Sequence, residues 1–335
     1  MNSEHIDLIR VTIFRVFRHV SVLLCFWILF SPLLQAAEPA FIRESIRARG
    51  MGNAFTAAAN DEMLLFYNPA ALRSVYYNIY QIAGFNTTYN ENITKLGNSS
   101  SGVSTLGSLA GKNIHNEIDI GFLSHVNSRF GWSFFTNSLV DVQIRNPIIP
   151  YLETKAYVQT GLAGGMAWSF LDFQLDLGLG VKLVQRSGID TKLHIFDEAI
   201  IEFTEDQKTT KLQKKFASKA AFAPDAGVIY HFDSYHNMEP KVAFSLQNIG
   251  GLDFEGAGKV PMTMNIGVST ESEFNGIDMI LAADYRDLAD SQEMVSKGNI
   301  MTGRNIKIGV EFGWQKLFNG HHLISFRAGR NGPYN

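Results

Sequence analysis

The sequence has little charge, little proline and almost no cysteine. Of its 335 residues, 18% are charged, nine are proline and one is cysteine. The charged share is below the roughly 25% usual for soluble domains, and the net charge of -3 gives no sign of a basic nucleic-acid-binding domain. Phenylalanine (25) and glycine (29) are prominent instead. This balance favours strands and turns over coiled coils or linkers.

Long apolar runs are also missing, with one exception near the start. Residues Val20 to Leu34 are almost wholly apolar, and Ala36 and Ala37 follow shortly after. Three arginines precede the run, at Arg10, Arg15 and Arg18. A positive region, an apolar stretch and a small-residue cleavage site predict a secretory signal peptide over residues 1–37. The alternative is an uncleaved anchor helix, which Pro32 and the short span disfavour.

The single cysteine, Cys25, lies inside this apolar run. The mature chain therefore has no cysteine for a disulfide or a thiolate metal site. Bulky apolar residues follow Cys25, so we do not expect lipidation there. Because no later apolar run reaches about 18 residues, an exported chain of this kind can span a membrane only as a closed β-barrel.

Apolar and polar residues alternate along much of the chain. The stretch Phe173 to Gln185 has Phe, Leu or Val at its odd positions up to Leu183, and residues 262–269 and 305–314 repeat the pattern. Successive side chains of a strand face opposite sides, so such strands have one apolar and one polar face. With weaker versions of the pattern, beginning at residues 76–86, the sequence predicts about eleven strands.

The connections between these strands alternate in length. Tight ones, such as Asn127-Ser128 and Leu171-Asp172, separate long ones near residues 87–116, 141–156, 187–217, 249–259 and 288–303. Short turns at one end and long loops at the other are typical of outer-membrane barrels. Nothing in the architecture of a soluble sandwich requires short and long connections to alternate in this way.

Alternation alone does not decide which face of the sheet is inside. A soluble barrel or sandwich turns its apolar face inward, whereas a transmembrane barrel turns it outward. The leader, strands near ten residues and aromatics near strand ends favour the transmembrane barrel. Glycines on the polar face would leave space for a plug. The charges on that face are expected to pair across the lumen or with the plug, or else to be solvated.

A compact apolar segment precedes the first strand. It contains Arg47-Ala48-Arg49-Gly50-Met51-Gly52-Asn53-Ala54-Phe55 and, after an alanine-rich stretch, Phe66-Tyr67-Asn68-Pro69-Ala70. These residues predict a glycine-hinged entry, a short alanine-rich helix, and a turn capped by Asn68 with Pro69 at the first helical position. We expect residues 38–75 to be a plug, or hatch, inside a barrel formed by residues 76–335. Its expected key residues are Gly50, Gly52, Phe55, Phe66, Tyr67, Asn68, Pro69 and Ala70.

The two motifs resemble the FadL family of outer-membrane transporters for long-chain fatty acids and other hydrophobic compounds. Members of that family open with A-R-G-M-G-x-A-F and continue with F-Y-N-P-A. The matching residues here are Ala48 to Gly52, Ala54, Phe55 and Phe66 to Ala70. Related outer-membrane families linked to secretion or conjugation have similar openings.

The resemblance implies a fourteen-stranded barrel whose hatch is seated by Asn68, Pro69 and Ala70. It also implies a ligand that passes from an external groove to a site against the hatch, and then sideways through a gap in the wall. Phe55 and Phe66 are the candidate ligand contacts. Pro224 cannot donate a ladder hydrogen bond, which makes a bulge there a candidate for the gap. The alternative is an ordinary irregularity of the rim.

The carboxyl end departs from the family pattern. An eleventh strand, His321 to Arg330, would end outside, whereas the family places both termini inside. No closing amphipathic strand with a terminal aromatic follows, the feature by which resembling proteins are recognised by the barrel assembly machinery. We therefore expect a truncated frame that lacks about one to three strands.

No enzyme signature occurs in the sequence. His-Glu-x-x-His, Gly-x-Ser-x-Gly and Gly-x4-Gly-Lys are all missing, so we expect no catalytic residues and no cofactor. His321-His322 could bind a metal, but adjacent strand residues face opposite sides, so a rim position is favoured.

Together these patterns predict a plug-gated channel in a Gram-negative outer membrane for passive uptake of long-chain fatty acids or other hydrophobic small molecules. Its expected partners are the ligand, outer-membrane lipid and lipopolysaccharide, and the assembly machinery. The rival prediction is a non-transporting scaffold that holds a secretion or conjugation partner. An apolar pocket beside Phe55 and Phe66 would favour the transporter, and a lumen sealed by ion pairs would favour the scaffold.

Overall fold

The computed structural model describes residues 42–90, 113–145, 151–194, 215–235, 237–274, 276–288, 305–317 and 322–331. The predicted signal peptide lies outside these residues, as does His321 of the histidine pair. Within the described ranges, no helix is long and apolar enough to cross a membrane.

The described chain is mainly β-structure. Its strands are β1 (Ile79–Tyr89), β2 (Asn113–Val126), β3 (Phe130–Arg145), β4 (Tyr151–Phe170), β5 (Leu175–His194), β6 (Ala217–His231), β7 (Met238–Gln247), β8 (Leu252–Asp253), β9 (Lys259–Val260), β10 (Thr263–Phe274), β11 (Ile277–Tyr285), β12 (Ile306–Leu317) and β13 (His322–Asn331). The helices are α1 (Ile46–Gly50) and three short 3-10 helices, Leu64–Phe66, Pro69–Ser74 and Glu255–Ala257.

Eleven of the strands form one antiparallel sheet in chain order, β1 to β7 followed by β10 to β13. The strands β8 and β9 pair with each other as a separate small hairpin. This arrangement confirms the predicted all-β class, the antiparallel pairing and the count of about eleven strands. Within the described residues no ladder joins β1 to β13, so these two strands are the edges of the sheet.

The strands of the large sheet range from 9 to 20 residues, so several exceed the ten or so that the alternation predicted. The longest ladder joins β4 to β5 over their full 20 residues. The predicted long connections at 141–156 and 187–217 are partly strand, because β3 continues to Arg145 and β5 to His194. Polar residues occur on both faces of these extensions, so the period-two pattern fades while the backbone ladder continues.

The apolar face of the sheet is exposed and the charged face is buried. On β5, Leu177, Leu179, Val181 and Leu183 are 36% to 59% exposed, while Asp176 and Lys182 are 3% and 2% exposed. Exposed large apolar side chains occur in the same alternating way on the other long strands. A soluble sheet with its apolar face inward is therefore wrong for this chain.

The buried apolar core comes mostly from residues 42–75, here called the N-terminal segment. This segment supplies 17 of the 30 residues in the buried apolar cluster. An untwisted sheet of eleven strands would be roughly 48 Å wide at about 4.8 Å between strands. The segment nevertheless contacts inward-facing residues of strands from β1 to β13. The sheet therefore curves around it.

Candidate functional site

The N-terminal segment is held in shape by two side-chain caps and a sharp turn. The Ser45 Oγ accepts hydrogen bonds from the backbone N–H groups of Arg47 and Ala48 at 3.2 and 3.4 Å, which starts α1. The helix ends before Gly52, whose φ of 61° suits glycine. Asn68 Oδ1 accepts from the Ala70 N–H at 3.0 Å, and Pro69 takes the first helical position, as the sequence predicts.

The predicted alanine-rich helix does not form, because this stretch consists of turns. A single helix-like bond joins the Ala59 N–H to the Phe55 carbonyl at 3.1 Å. The N–H groups of Phe55 and Thr56 donate instead to Asp284 Oδ2 of β11, at 2.8 and 2.7 Å. Here a buried tertiary contact overrides the helix propensity of alanine. Asp284 is thus an anchor of the segment.

Inward-facing glycines on the strands make room for this segment. A Cβ added to Gly178 would lie 2.2 Å from the Ala70 nitrogen, and one added to Gly227 would lie 1.8 Å from Asn68 Oδ1. A Cβ at Gly309 would lie 2.3 Å from the Met51 carbonyl oxygen. The segment backbone therefore packs directly on the strand backbone, which only glycine allows at these positions.

The expected plug residues lie within this contact zone. Gly50 packs on the Arg327 side chain of β13, and a Cβ at Gly329 would lie 2.0 Å from the Gly52 nitrogen. The Tyr67 carbonyl accepts a bond from Gln247 Nε2 at 3.1 Å. The sequence motif thus matches the part of the segment that meets the sheet.

Buried and partly buried ion pairs connect the segment to the sheet. Arg43 Nε and Asp119 Oδ1 are 2.8 Å apart, with both side chains almost fully buried. Arg47 Nε pairs with Glu311 Oε2 at 2.7 Å. Arg49 pairs with Glu44 of its own segment at 2.5 Å, and also with Glu117 of β2. Inward-facing acids were visible in the alternation, but their partner Arg43 was missed, because nothing local marks it as buried.

The two candidate ligand contacts are covered by neighbouring rings. Phe55 is fully buried and packs edge-on against Tyr67, with 5.1 Å between ring centroids. Phe66 is 3% exposed and packs edge-on against Phe135 at 5.3 Å, with the Arg43 guanidinium 5.8 Å from each of those two rings. A ligand can touch either ring only if the segment or its surroundings move.

Burial changes the protonation of acidic groups in the segment. Burial, and secondarily the charge of Glu62, raises the pKa of Asp61 to about 6. Burial also raises the pKa of Glu44, despite the opposing charge of Arg49, and that of the Tyr67 phenol. The Tyr67 hydroxyl accepts a bond from the Ser45 N–H at 3.0 Å. The segment therefore holds a titrating group near neutral pH.

The pairing of the sheet is interrupted between β6 and β7. Its ladder with β7 covers residues Ala226 to His231 only, whereas its ladder with β5 runs unshifted from Ala217 to Tyr230. Pro224 lies at this boundary, and its carbonyl accepts from the Ile249 N–H at 2.8 Å. The bulge expected at Pro224 is not present in the β5–β6 ladder. The backbone nitrogen of Pro224, which has no hydrogen to donate, instead faces the side of β6 where pairing with β7 stops.

A hairpin between β7 and β10 folds back over this break. Phe254 is fully buried, and its ring lies 4.4 Å from the Arg186 guanidinium, which lies 4.0 Å from the Tyr157 ring on β4. Two Arg186 nitrogens donate to Gln159 Oε1 at 2.9 and 2.7 Å. No local signal in the sequence marks these residues, because residues 249–259 are predicted only as a long connection between strands.

Ser169, Asp176 and His231 meet at the tight-turn end. The Ser169 hydroxyl donates to Asp176 Oδ1 at 2.5 Å, and His231 Nε2 lies 2.8 Å from Asp176 Oδ2. The aspartate therefore lies between the other two, and the serine proton points to a carboxylate rather than to an imidazole. A serine hydrolase needs a serine–histidine bond, and these three residues do not supply one. Within the described residues there is also no cluster of three or more metal-ligating side chains.

Comparisons with known proteins find a likeness among solved structures. No protein-family model matches the chain, and no curated protein matches its sequence. A solved structure, that of a FadL homologue from Pseudomonas aeruginosa, is similar over 86% of this chain and 90% of its own, with 13% sequence identity and a TM-score of 0.43.

Proposed function

We propose that the chain is an outer-membrane β-barrel that admits hydrophobic small molecules, such as long-chain fatty acids, and that the N-terminal segment is its plug. The observation that carries the membrane assignment is the exposed apolar face of the sheet. An exposed apolar surface extending over many strands marks contact with an apolar environment. Strands, whose backbone groups are paired with neighbours, satisfy the requirement that a bilayer imposes.

The orientation follows from the connections. The β2–β3, β4–β5 and β10–β11 turns are tight and lie at one end of the sheet, and the much longer β1–β2, β5–β6, β7–β10 and β11–β12 connections lie at the other. In outer-membrane barrels the tight turns face the periplasm and the long loops face outward. This supports a periplasmic position for the tight-turn end.

The break beside β6 supports sideways release of an apolar ligand. Residues Ala217 to Asp225 have no ladder partner in β7, and the hairpin that covers them from β8 to β9 contributes the buried side chains of Leu252, Phe254 and Val260. An apolar ligand that leaves into the bilayer avoids the roughly 0.8 kcal/mol per methylene that transfer into water would cost. Pro224 thus stays our candidate for the exit.

The structure in hand corresponds to the closed state in this proposal. Phe55 and Phe66 are covered, so gating requires movement of the segment, of the hairpin, or of both. Movement of the segment at Phe55 would have to separate Asp284 from two of its backbone N–H groups, whereas movement of the hairpin alone would leave these bonds intact.

One observation favours a second function, that of a non-transporting scaffold for a secretion or conjugation partner. The interior is crossed by ion pairs from the segment to the wall, including Arg43 with Asp119 and Arg47 with Glu311. A scaffold needs no opening, and these pairs hold the segment against the sheet.

Binding of a fluorescent long-chain fatty acid to the refolded protein tests the choice. The transporter predicts saturable binding that Phe66→Ala weakens, whereas Phe134→Ala, a matched ring on the outer face, leaves binding unchanged. Release is tested with an Ala217→Cys and Gly256→Cys pair, since a Cβ at 256 would lie 3.2 Å from that of Ala217. The oxidised pair blocks release and reduction restores it. A folded protein that binds no fatty acid supports the scaffold.

A further inference from the structure

A cavity lies at the tight-turn end, away from Phe55 and Phe66. It has a volume of about 230 Å³ and lies between residues 76–78, which lead into β1, and residues 127–130, which connect β2 to β3. Its lining residues are Tyr76, Tyr77, Asn78, Asn127, Ser128, Arg129 and Phe130. None of them is acidic.

The two amide side chains of the cavity have their acceptors already used. Asn127 Oδ1 accepts from the backbone N–H groups of Arg129 and Phe130 at 2.9 and 3.0 Å. His125 Nε2 donates to Asn78 Oδ1 at 3.2 Å. Each asparagine is therefore left with its NH₂ group, which can only donate. These two amide groups favour a ligand that supplies acceptors.

The positive charge of Arg129 also favours a ligand that accepts hydrogen bonds. The exposed Arg129 side chain makes no hydrogen bond or ion pair with any residue that the structure describes. The hydroxyls of Ser128 and Tyr77 are likewise without a partner among those residues. A free guanidinium beside several donors is suited to an oxyanion, which forms charge-assisted hydrogen bonds with such groups.

Tyr76 also remains a donor. The charges of Glu239, Glu271 and Asp176 raise the pKa of its phenol, and the Tyr76 side chain is 88% exposed. Of these acids, Glu271 pairs with Lys241 at 2.5 Å, and Asp176 lies 2.8 Å from His231. The phenol therefore stays protonated over the physiological range.

The cavity adjoins the exposed apolar face at its tight-turn edge. Phe130 is 44% exposed, Trp132 of β3 is 40% exposed and Tyr80 of β1 is 71% exposed. Aromatic side chains at the end of a spanning strand are typical of the level of lipid headgroups. An anion bound here would have an apolar surface directly beside it.

We propose that this cavity binds the phosphate headgroup of a glycerophospholipid in the leaflet at the tight-turn end, with the acyl chains lying along Tyr80, Phe130 and Trp132. The lipid source rests on the membrane assignment of the proposed function. The site itself needs no transport activity, and it is separate from the path beside Phe55 and Phe66.

The test is calorimetric titration of the refolded full chain, in a phosphate-free non-ionic detergent, with dihexanoylphosphatidylglycerol. Wild type is expected to bind one lipid saturably, and Arg129→Gln to weaken binding about tenfold or more, the size expected for one charge-assisted hydrogen bond. Arg129→Lys should keep part of the affinity. Lys259→Gln removes an exposed cation at the opposite end and is the matched control, with unchanged binding.

Two arms separate the possible outcomes. Inorganic phosphate that binds as tightly as the lipid would overturn the headgroup assignment, and equal affinity of wild type and Arg129→Gln would overturn the site. Insertion into liposomes is measured separately by a heat-dependent shift in gel mobility. A chain that inserts but shows no Arg129 dependence refutes only this site, whereas a chain that never inserts refutes the membrane assignment and, with it, the lipid source.

Discussion

Successive residues of β5 lie on opposite faces of the sheet, and the two faces have opposite properties. Gly178 meets the backbone of the N-terminal segment, and Lys182 is buried beside Asp225, while Leu179 and Leu183 are more than half exposed. The inner face is polar but tightly filled, and the outer face is apolar and uncovered. The usual relation between apolar residues and burial is thus inverted along one strand. Such a strand needs an apolar solvent outside and a matched filling inside.

The difference teaches where the stability of the fold comes from. The wall alone has a charged inner face, and the segment supplies both the apolar core and the counter-charges, such as Arg43 for Asp119. Changes on the inner face should therefore affect folding in any solvent, whereas changes on the outer face should matter only in lipid.

The largest effect is expected from Gly178→Val compared with Leu179→Val. A Cβ at Gly178 would lie 2.2 Å from the Ala70 nitrogen and 2.3 Å from the Pro69 carbonyl carbon, so the segment cannot seat. We expect a loss of more than about 5 kcal/mol, enough to abolish the folded form. Its neighbour Leu179→Val changes only an exposed side chain. The folded fraction is measured by heat-dependent gel mobility after refolding, and equal yields would contradict a seated segment.

The next effect concerns the buried pair of Lys182 and Asp225, whose charged atoms are 2.9 Å apart. Lys182→Met leaves an unpaired buried carboxylate and should cost about 3 to 5 kcal/mol in the free energy of unfolding. Removing both charges with Asp225→Leu added should restore much of this loss. Leu183→Met, on the outer face, is the control. Urea unfolding in micelles measures all four proteins, and a double variant no better than the single one would argue against a paired charge.

A smaller effect is expected from a charge on the outer face. Val181→Arg lies near the middle of the first ten residues of β5 and should cost about 2 to 4 kcal/mol in a bilayer. Gln185→Arg, four residues nearer the long-loop end on the same face, should cost less. Unfolding from liposomes gives both values. Equal costs at the two positions would contradict a face whose tolerance of charge depends on depth in a bilayer.

Part of the difference between the two faces can be predicted from the sequence, and part cannot. The alternation predicted the strands and which residues share a face, and the Asn68-Pro69 pair predicted the cap of the helix that it starts. Both signals are local. The failed alanine helix depends on Asp284, more than 200 residues away in sequence. The stack of Tyr157, Arg186 and Phe254 likewise joins the neighbouring strands β4 and β5 to a hairpin that follows β7. Such contacts are set by packing across the interior, which no local pattern records.

The smallest effect is the pH dependence of the segment. Because the pKa of Asp61 is raised to about 6 from its usual 3.8, the folded protein binds more protons than the unfolded chain between about pH 4 and 6. Stability should therefore fall as the pH rises through that window, by about 1 to 2 kcal/mol after allowance for the partial exposure of Asp61. Asp61→Asn should flatten the profile. Denaturant unfolding at pH 4 and pH 7 checks this, and an unchanged slope in the variant would assign the titration elsewhere.

The most direct test of the inverted strand is a spin-label scan along β5 in liposomes. The mature chain expected here has no cysteine, so single cysteines along β5 can be labelled without background. Positions 178 and 182 are left out, because a side chain at 178 would clash with the segment and a change at 182 would leave Asp225 unpaired. We predict oxygen accessibility that alternates with period two, high at 177, 179, 181 and 183 and low at 176 and 180. High accessibility at the second set, or no alternation, would contradict an apolar face in lipid around a filled interior.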